Sequence, residues 1–452
     1  MNQTYMKENK ILPLLLKMAL PMIISMFVNS LYNIVDSIFV AKISENAMTA
    51  LSLIYPVQNL IMSVAVGIGV GINAIAALHL GAGEKERADA AVTQGMLLNI
   101  IHGIILNILG LMIMSTFLKL FTSNQEVFDM AMKYSVIVLC FSVIIMAGIT
   151  FEKIFQAVGK MTITMVSLLS GCIINIILDP IFIFGLGPVS KMGIQGAALA
   201  TGIGQTATLL IYLWFYIYRP LDVRLSKKHL KLNRRLCFRI YSIGIPATLN
   251  MALPSVLVSA MNGLLSAFSQ SYVIVLGIYY KLQTFLYLTA NGVVQGMRPL
   301  LSYNYGAGEY KRVQKIYKTA IIMIALIMIL GTVLCIEIPG TLMKMFTSNP
   351  GTIRIGVKAL RIISGGFIVS SVSVVSAGAF EALGKGVQSF SIFLIRYVIV
   401  IIPAAYIMGN IFGKGGIWNA FWIAEISAAG IAILFYHNFF YKNVKESFDK
   451  KN

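Results

Sequence analysis

The sequence predicts an all-α integral membrane protein with twelve transmembrane helices in two six-helix lobes. Three observations carry this prediction. The 452 residues are 58% hydrophobic and 12% charged, with mean hydropathy +0.82, far from the balance of a soluble domain. The apolar runs exceed the ~18 residues that mark a membrane-spanning helix. The second half of the chain repeats the first at a fixed offset.

In hydrocarbon every backbone N–H and C=O must be satisfied within its own segment, and these runs are too long for barrel strands of about 9–11 residues. Helices are the remaining solution. The first half predicts spans over Leu12–Val40, Ala47–His79, Ala90–Leu118, Ala131–Ala157, Met161–Phe184 and Ile194–Tyr218. The second predicts Ile240–Phe268, Tyr272–Tyr303, Ile316–Phe346, Val357–Leu383, Val387–Phe412 and Ile417–Phe440. The domains that follow are residues 1–218, a basic linker over 219–239, and 240–452. The first apolar run far exceeds the 7–15 residues of a signal-peptide core, so it is expected to be retained.

The net charge of +19 could suggest a nucleic-acid binder, but its placement argues for membrane orientation. Basic residues concentrate on segments that face the cytoplasm if both termini do, as the positive-inside rule requires in a bacterial-type cytoplasmic membrane. The densest run, Arg219 to Arg239, joins the halves and is expected to lie against anionic headgroups. Lys344, Arg354, Lys358 and Arg361 run against this pattern. Four cysteines without CxxC spacing and four scattered histidines indicate neither disulfides nor a metal centre.

The repeat offset is 225: Phe121-Thr-Ser-Asn124 recurs as Phe346-Thr-Ser-Asn349, Gly81-Ala-Gly-Glu84 as Gly306-Ala-Gly-Glu309, and Pro21 as Pro246. Phe155–Lys160 likewise matches Phe380–Lys385. A slip to 223 then pairs Asp179-Pro180 with Ile402-Pro403. An even number of spans per copy relates the lobes by a pseudo-two-fold axis along the membrane normal, and repeat-built transporters place the solute path where such halves meet.

Charges within spans are costly and by default mark an ion or proton path. Ser25, Asn29, Asn33 and Asp36 step by four, four and three, placing them on one face of the first helix. Asn175 and Asp179 are i and i+4 on the fifth, and Thr201 on the sixth lies at a depth matching both acids. Two carboxylates, an amide oxygen and a hydroxyl can give hard oxygen ligands to a small cation, or hold a shared proton. The alternative is that Asp36 and Asp179 merely cap helix irregularities, the latter before Pro180. Asn29, Tyr32, Asn33 and Lys281 are the candidates for lining a solute cavity. Lys281 and Arg396 could equally snorkel or pair with Glu337 or Glu425. The glycines of Gly67-Ile-Gly-Val-Gly71 lie inside a span with no strand before them, so helix packing explains them better than phosphate binding.

These paired motifs, with Asp36, Asn175-Ile-Ile-Leu-Asp179-Pro180, Gly193-Ile-Gln-Gly-Ala-Ala198 and Asn304-Tyr-Gly-Ala-Gly308, resemble the multidrug and toxic compound extrusion (MATE) family over nearly the whole chain, in its MepA-like branch. The resemblance implies export of small organic, often cationic and lipophilic, compounds by antiport with Na+ or H+, without any other cofactor. It puts the coupling cation at Asp36, Asn175, Asp179 and Thr201. Expected partners are small-molecule substrates and membrane lipid, with no nucleic acid, and the chain is expected to act as a monomer. A flippase of lipid-linked saccharides or another polytopic transporter class is the alternative. A flippase, however, should hold more basic residues where the first helix offers carboxylate and amides, and a differently folded twelve-span facilitator should show a Gly-x-x-x-Asp-Arg pattern that the loop between the second and third spans lacks. A membrane enzyme is disfavoured, since no clustered His, Ser/His/Asp set or nucleotide motif is found.

Overall fold

The computed structural model describes residues 4–449, with side-chain surroundings through Phe440. Among these residues the regular structure is helical: α1 (Ile11–Ala41), α2 (Glu45–Gly81), α3 (Lys85–Phe121), α4 (Gln125–Cys140), α5 (Ser142–Ala157), α6 (Met161–Phe184) and α7 (Ile194–Tyr218). A 3-10 turn, Lys227–His229, precedes α8 (Arg234–Ser266), α9 (Gln270–Gly306), α10 (Tyr310–Glu337), α11 (Pro350–Ser364) and α12 (Phe367–Ala382). The chain closes with α13 (Gly386–Phe412) and α14 (Asn419–Asp449). Ten helices are individually long and apolar enough to span a bilayer, and two bent pairs bring the total to the twelve expected.

The runs Ala131–Ala157 and Val357–Leu383, read from sequence as single spans, are these pairs, bent by 47° between α4 and α5 and by 54° between α11 and α12. Each bend frees a carbonyl, and a neighbouring helix satisfies it: Asn107 donates to Leu139 O at 2.6 Å and Thr332 to Ser364 O at 3.1 Å. These donors stand 225 apart, as do the carbonyls. At the first bend the ring of Phe141 fills the space beside Gly202, where any Cβ would come within 2.3 Å of it. At the second, Gly365-Gly366 supplies the break itself.

The repeated motifs turn out to be helix punctuation. Asn124 and Asn349 cap α4 and α11, their side-chain oxygens accepting from Glu126 N at 3.0 Å and from Thr352 N at 3.0 Å. Gly83 and Gly308 adopt φ of 75° and 74°, a left-handed turn that a side chain would strain. Glu84 N then reaches back to His79 O at 2.8 Å and Glu309 N to Asn304 O at 2.9 Å, closing each helix end.

Two compact units result, and they cross the boundaries drawn from sequence. The first comprises Leu20–Ile245 with the residues up to Met6, and the second runs from Pro246 onward with Lys7–Ala19. The opening turns of α8 therefore pack in the first unit, where Gly71 abuts Ile240 O and Gly244 abuts the backbone of Gly67 and Ile68. The opening turns of α1 pack in the second, where Gly296 abuts the backbone of Met18 and Ala19. Gly296 is Gly71 plus 225 and Gly244 is Ala19 plus 225, so each repeat makes the same glycine-backed crossing. In both copies the exchange ends beside the helix proline, Pro21 or Pro246.

Candidate cation site

In the first unit α6 and α7 approach through glycine. A Cβ on Gly171 would fall 1.9 Å from Thr208 Oγ1, one on Gly204 2.8 Å from Gly171 O, and one on Gly196 2.6 Å from the Phe182 backbone. This closeness brings Asn175 of α6 onto Thr201 of α7, with Nδ2 donating to Oγ1 at 3.3 Å.

The same face of α6 carries Asp179, fully buried, opposite Asp36 of α1, which is 9% exposed. The two carboxyl groups face each other within hydrogen-bonding reach. Asp36 Oδ1, both Asp179 oxygens and Asn175 Oδ1 are buried without a donor. Two facing carboxyl groups without an N–H or O–H to answer their buried oxygens form an arrangement that a cation or a proton balances. The hydroxyl of Tyr32 reaches Thr201. Asn29, Tyr32, Asn175 and Thr201 line a cavity of about 30 Å³, which neither acid itself lines and which has room for about one water-sized species.

The structure thus gathers Asp36, Asn175, Asp179 and Thr201, with Tyr32 and Asn29 at their edge. Asn33 stands apart, exposed, its amide donating along its own helix to Asn29 O at 2.8 Å and Asn29 Oδ1 at 3.1 Å. Lys281 belongs to the second unit, where its ammonium lies 5.8 Å over the ring of Phe346. It takes no part in this cluster. Two residues were not anticipated. Tyr134 of α4 is buried close enough to both acids to feel their charge, and Gln58 of α2 donates to its hydroxyl at 3.3 Å. Tyr134 sits between Lys133 and Ser135 and Gln58 precedes Asn59, and neither local pattern points to the acids on other helices.

Arg396 pairs with Glu425 rather than Glu337. Its guanidinium meets Glu425 Oε1 at 2.6 Å and hydrogen-bonds the hydroxyl of Tyr287. The rings of Tyr287 and Tyr397 lie 5.1 and 5.0 Å from its centre. Ser373 donates to the remaining Glu425 oxygen at 3.4 Å. Among the described residues no group of His, Cys, Asp and Glu has the makings of a three-ligand metal centre.

Twelve apolar spans in two repeated units, with a pair of facing buried acids in the first and ion-paired acids in the second, define a multi-pass membrane transporter. The chain belongs to the MatE family, whose profile matches residues 21–181 and again 246–407. The two matches begin 225 residues apart, at the helix prolines. The multidrug export protein MepA of Staphylococcus haemolyticus is 25% identical over 430 residues, 95% of this chain and 94% of that protein. A MATE transporter solved in a bent conformation superposes with TM-score 0.92 at 23% identity, covering 99% of both chains. A MOP superfamily transporter from Pyrococcus furiosus gives 0.89 at 22% identity, over 98% of this chain and 99% of its own. At such identity these structures speak for the fold.

Proposed function

We propose that this transporter exports small organic compounds, often cationic and lipophilic and including drugs, by antiport with Na+ or H+, from a bacterial cytoplasmic membrane with both termini inside. The observation that carries the reading is the pair of facing carboxyl groups, Asp36 and Asp179, buried with unanswered acceptor oxygens. Each such acid costs roughly 2.5–3.5 kcal/mol within a span, and a bound cation or a held proton offsets that cost. The kinship with MepA, named a multidrug export protein, supports the substrate class, and the excess of Lys and Arg on one side supports the orientation.

The chain's own residues divide the work. Asp36 and Asp179 neutralise the coupling cation, whether as oxygen ligands to Na+ or as the atoms that take the proton. Asn175 Oδ1 adds an uncharged acceptor, while its amide, spent on Thr201, fixes which way that oxygen points. Tyr32 lies close enough to both acids to feel their charge and borders a small cavity with Asn29, Asn175 and Thr201, so a change in the charge of the acids is felt at that cavity's wall. Coupling then requires only that loading the acids and holding the solute disfavour one another.

Purified protein in liposomes containing a fluorescent organic cation is to be given a sodium gradient, and separately a proton gradient. Gradient-dependent dye movement under one of them is expected. Movement under neither, across a broad panel of dyes and drugs with the protein shown to be folded, overturns antiport.

A further inference from the structure

A second site lies at the opposite chemical extreme, in the linker that joins the repeats. Far from lying loose, Arg219–Arg239 folds onto α3: Arg224 N donates to Asp89 Oδ1 at 2.7 Å, Ser226 N to Thr93 Oγ1 at 3.0 Å, and Asn233 N to Gln94 Oε1 at 3.0 Å. The Gln94 amide returns a bond to Lys231 O at 3.1 Å, and Gln94 is itself 3% exposed. Asn233 then caps α8, accepting from Arg235 N at 2.9 Å and Leu236 N at 3.2 Å. This bracing walls a pocket of ≈ 580 Å³, within the range of about 300–1,000 Å³ typical of small-ligand sites.

The charged residues of the lining are all basic. Arg87, Lys228, Lys231, Arg235 and Arg239 face the pocket, and no carboxylate does. Glu84, just outside it, is already engaged by His79 at 2.6 Å and Arg87 at 2.7 Å, which together hold its carboxyl below the usual range. Among the described residues Lys228, Lys231, Arg235 and Arg239 have no acidic partner within 4.0 Å. The N-terminus of α8 adds its partial positive charge at the same place. Like charges on a braced scaffold repel one another unless an anion shares them, and planar guanidinium groups beside ammonium groups match phosphate oxygens in geometry and charge.

We propose that this pocket binds a phosphate-bearing anion, either the headgroup of an anionic phospholipid or a soluble phosphorylated compound. It is a site separate from the carboxylate cluster, and its occupancy fastens the linker to α3 and α8. An anionic lipid held here is the ordinary outcome for a basic segment at a membrane surface, but the folded pocket makes it one discrete, saturable site.

The test uses the purified full-length protein. Phosphatidylglycerol and phosphatidylcholine adducts are to be compared by native mass spectrometry, and pyrophosphate is to be titrated calorimetrically in a zwitterionic detergent. Two pocket variants, R235Q/R239Q and K228Q/K231Q, remove charge from α8 and from the linker independently, so a folding defect in one leaves the other informative. K311Q/K315Q removes the same charge from exposed positions of α10 as a control. Saturable binding of phosphatidylglycerol or pyrophosphate, at least about tenfold weaker in a folded pocket variant and unchanged in the control, supports the site. Whichever probe binds identifies the source. Binding of neither, or equal affinity in the wild type and the pocket variants, or an equal loss in the control, overturns it.

Discussion

The two units are built from one repeat yet treat buried charge in opposite ways. In the first, Asp36 and Asp179 face each other with no cationic side chain beside them. In the second, the aligned positions are apolar: Met261 for Asp36, and Ile402, Val398 and Ala424 for Asp179, Asn175 and Thr201. Ionic residues occur instead two positions before Val398 and one after Ala424, as Arg396 and Glu425, and the chain supplies both signs. A local π-turn at Ile395–Ile399 accommodates Arg396, two tyrosine rings flank it, and it is 2% exposed. The first unit pairs Glu152 with Lys153 but leaves the Asp36–Asp179 pair open, without a cationic side chain, whereas the second unit's Glu381 and Glu425 each meet an arginine and are closed. An ancestral duplication can therefore keep its packing while confining an acid pair without a cationic partner to one copy.

The largest effect should come from closing the open charge. Asp36→Asn and Asp179→Asn preserve size while removing what a cation neutralises, so each should reduce gradient-driven dye efflux in proteoliposomes to the protein-free background. Thermal unfolding in detergent should be unchanged or slightly raised, since a repulsive buried acid pair is relieved. Wild-type efflux from both variants would remove the coupling role from this site. The next group to examine would then be Glu152, whose carboxylate is paired with Lys153 at 2.7 Å.

An intermediate effect should come from opening the closed charge. Glu425→Gln strands the Arg396 guanidinium in the second unit, and breaking a buried ion pair in this way typically costs about 3–5 kcal/mol. A clear fall in unfolding temperature is expected. Replacing both partners by apolar residues, as in R396M/E425M, should recover much of it, because no uncompensated charge then remains. Should Glu425→Gln unfold like the wild type while Asp36→Asn collapses, the contrast between an open and a closed unit fails.

Much of this contrast was visible in the sequence, because a carboxylate in an apolar run stands out and because lipid forces helices. The span count, the 225-residue repeat and the meeting of Asp36 with Asn175, Asp179 and Thr201 all follow from periodicity and cost. The exchange of Lys7–Ala19 for the opening turns of α8 did not, since it depends on which glycines back onto which backbone. Nor did the bend at Phe141, which has no Gly or Pro and is explained only by the space at Gly202. The basic linker was legible as charge but not as a pocket. Its bracing comes from Asp89, Thr93 and Gln94, more than a hundred residues away in the chain, and composition says nothing of such partners.

The smallest effect should appear at the position where the two units diverge. Met261 aligns with Asp36 at the 225 offset and is fully buried in the second unit. Methionine to leucine conserves volume, so Met261→Leu should cost less than about 1.5 kcal/mol, a shift of a few degrees in unfolding temperature for a domain of this size. No charge is present at this position for a cation to neutralise. The variant should therefore move dye at the wild-type rate under the same gradient and keep the same dependence on cation concentration. That dependence is the informative readout, because a packing defect lowers the maximal rate, whereas a coupling residue shifts the cation concentration giving half-maximal rate. If Met261→Leu keeps its fold yet weakens the cation dependence, the second unit contributes to coupling after all, and its closed ion pair must open during transport.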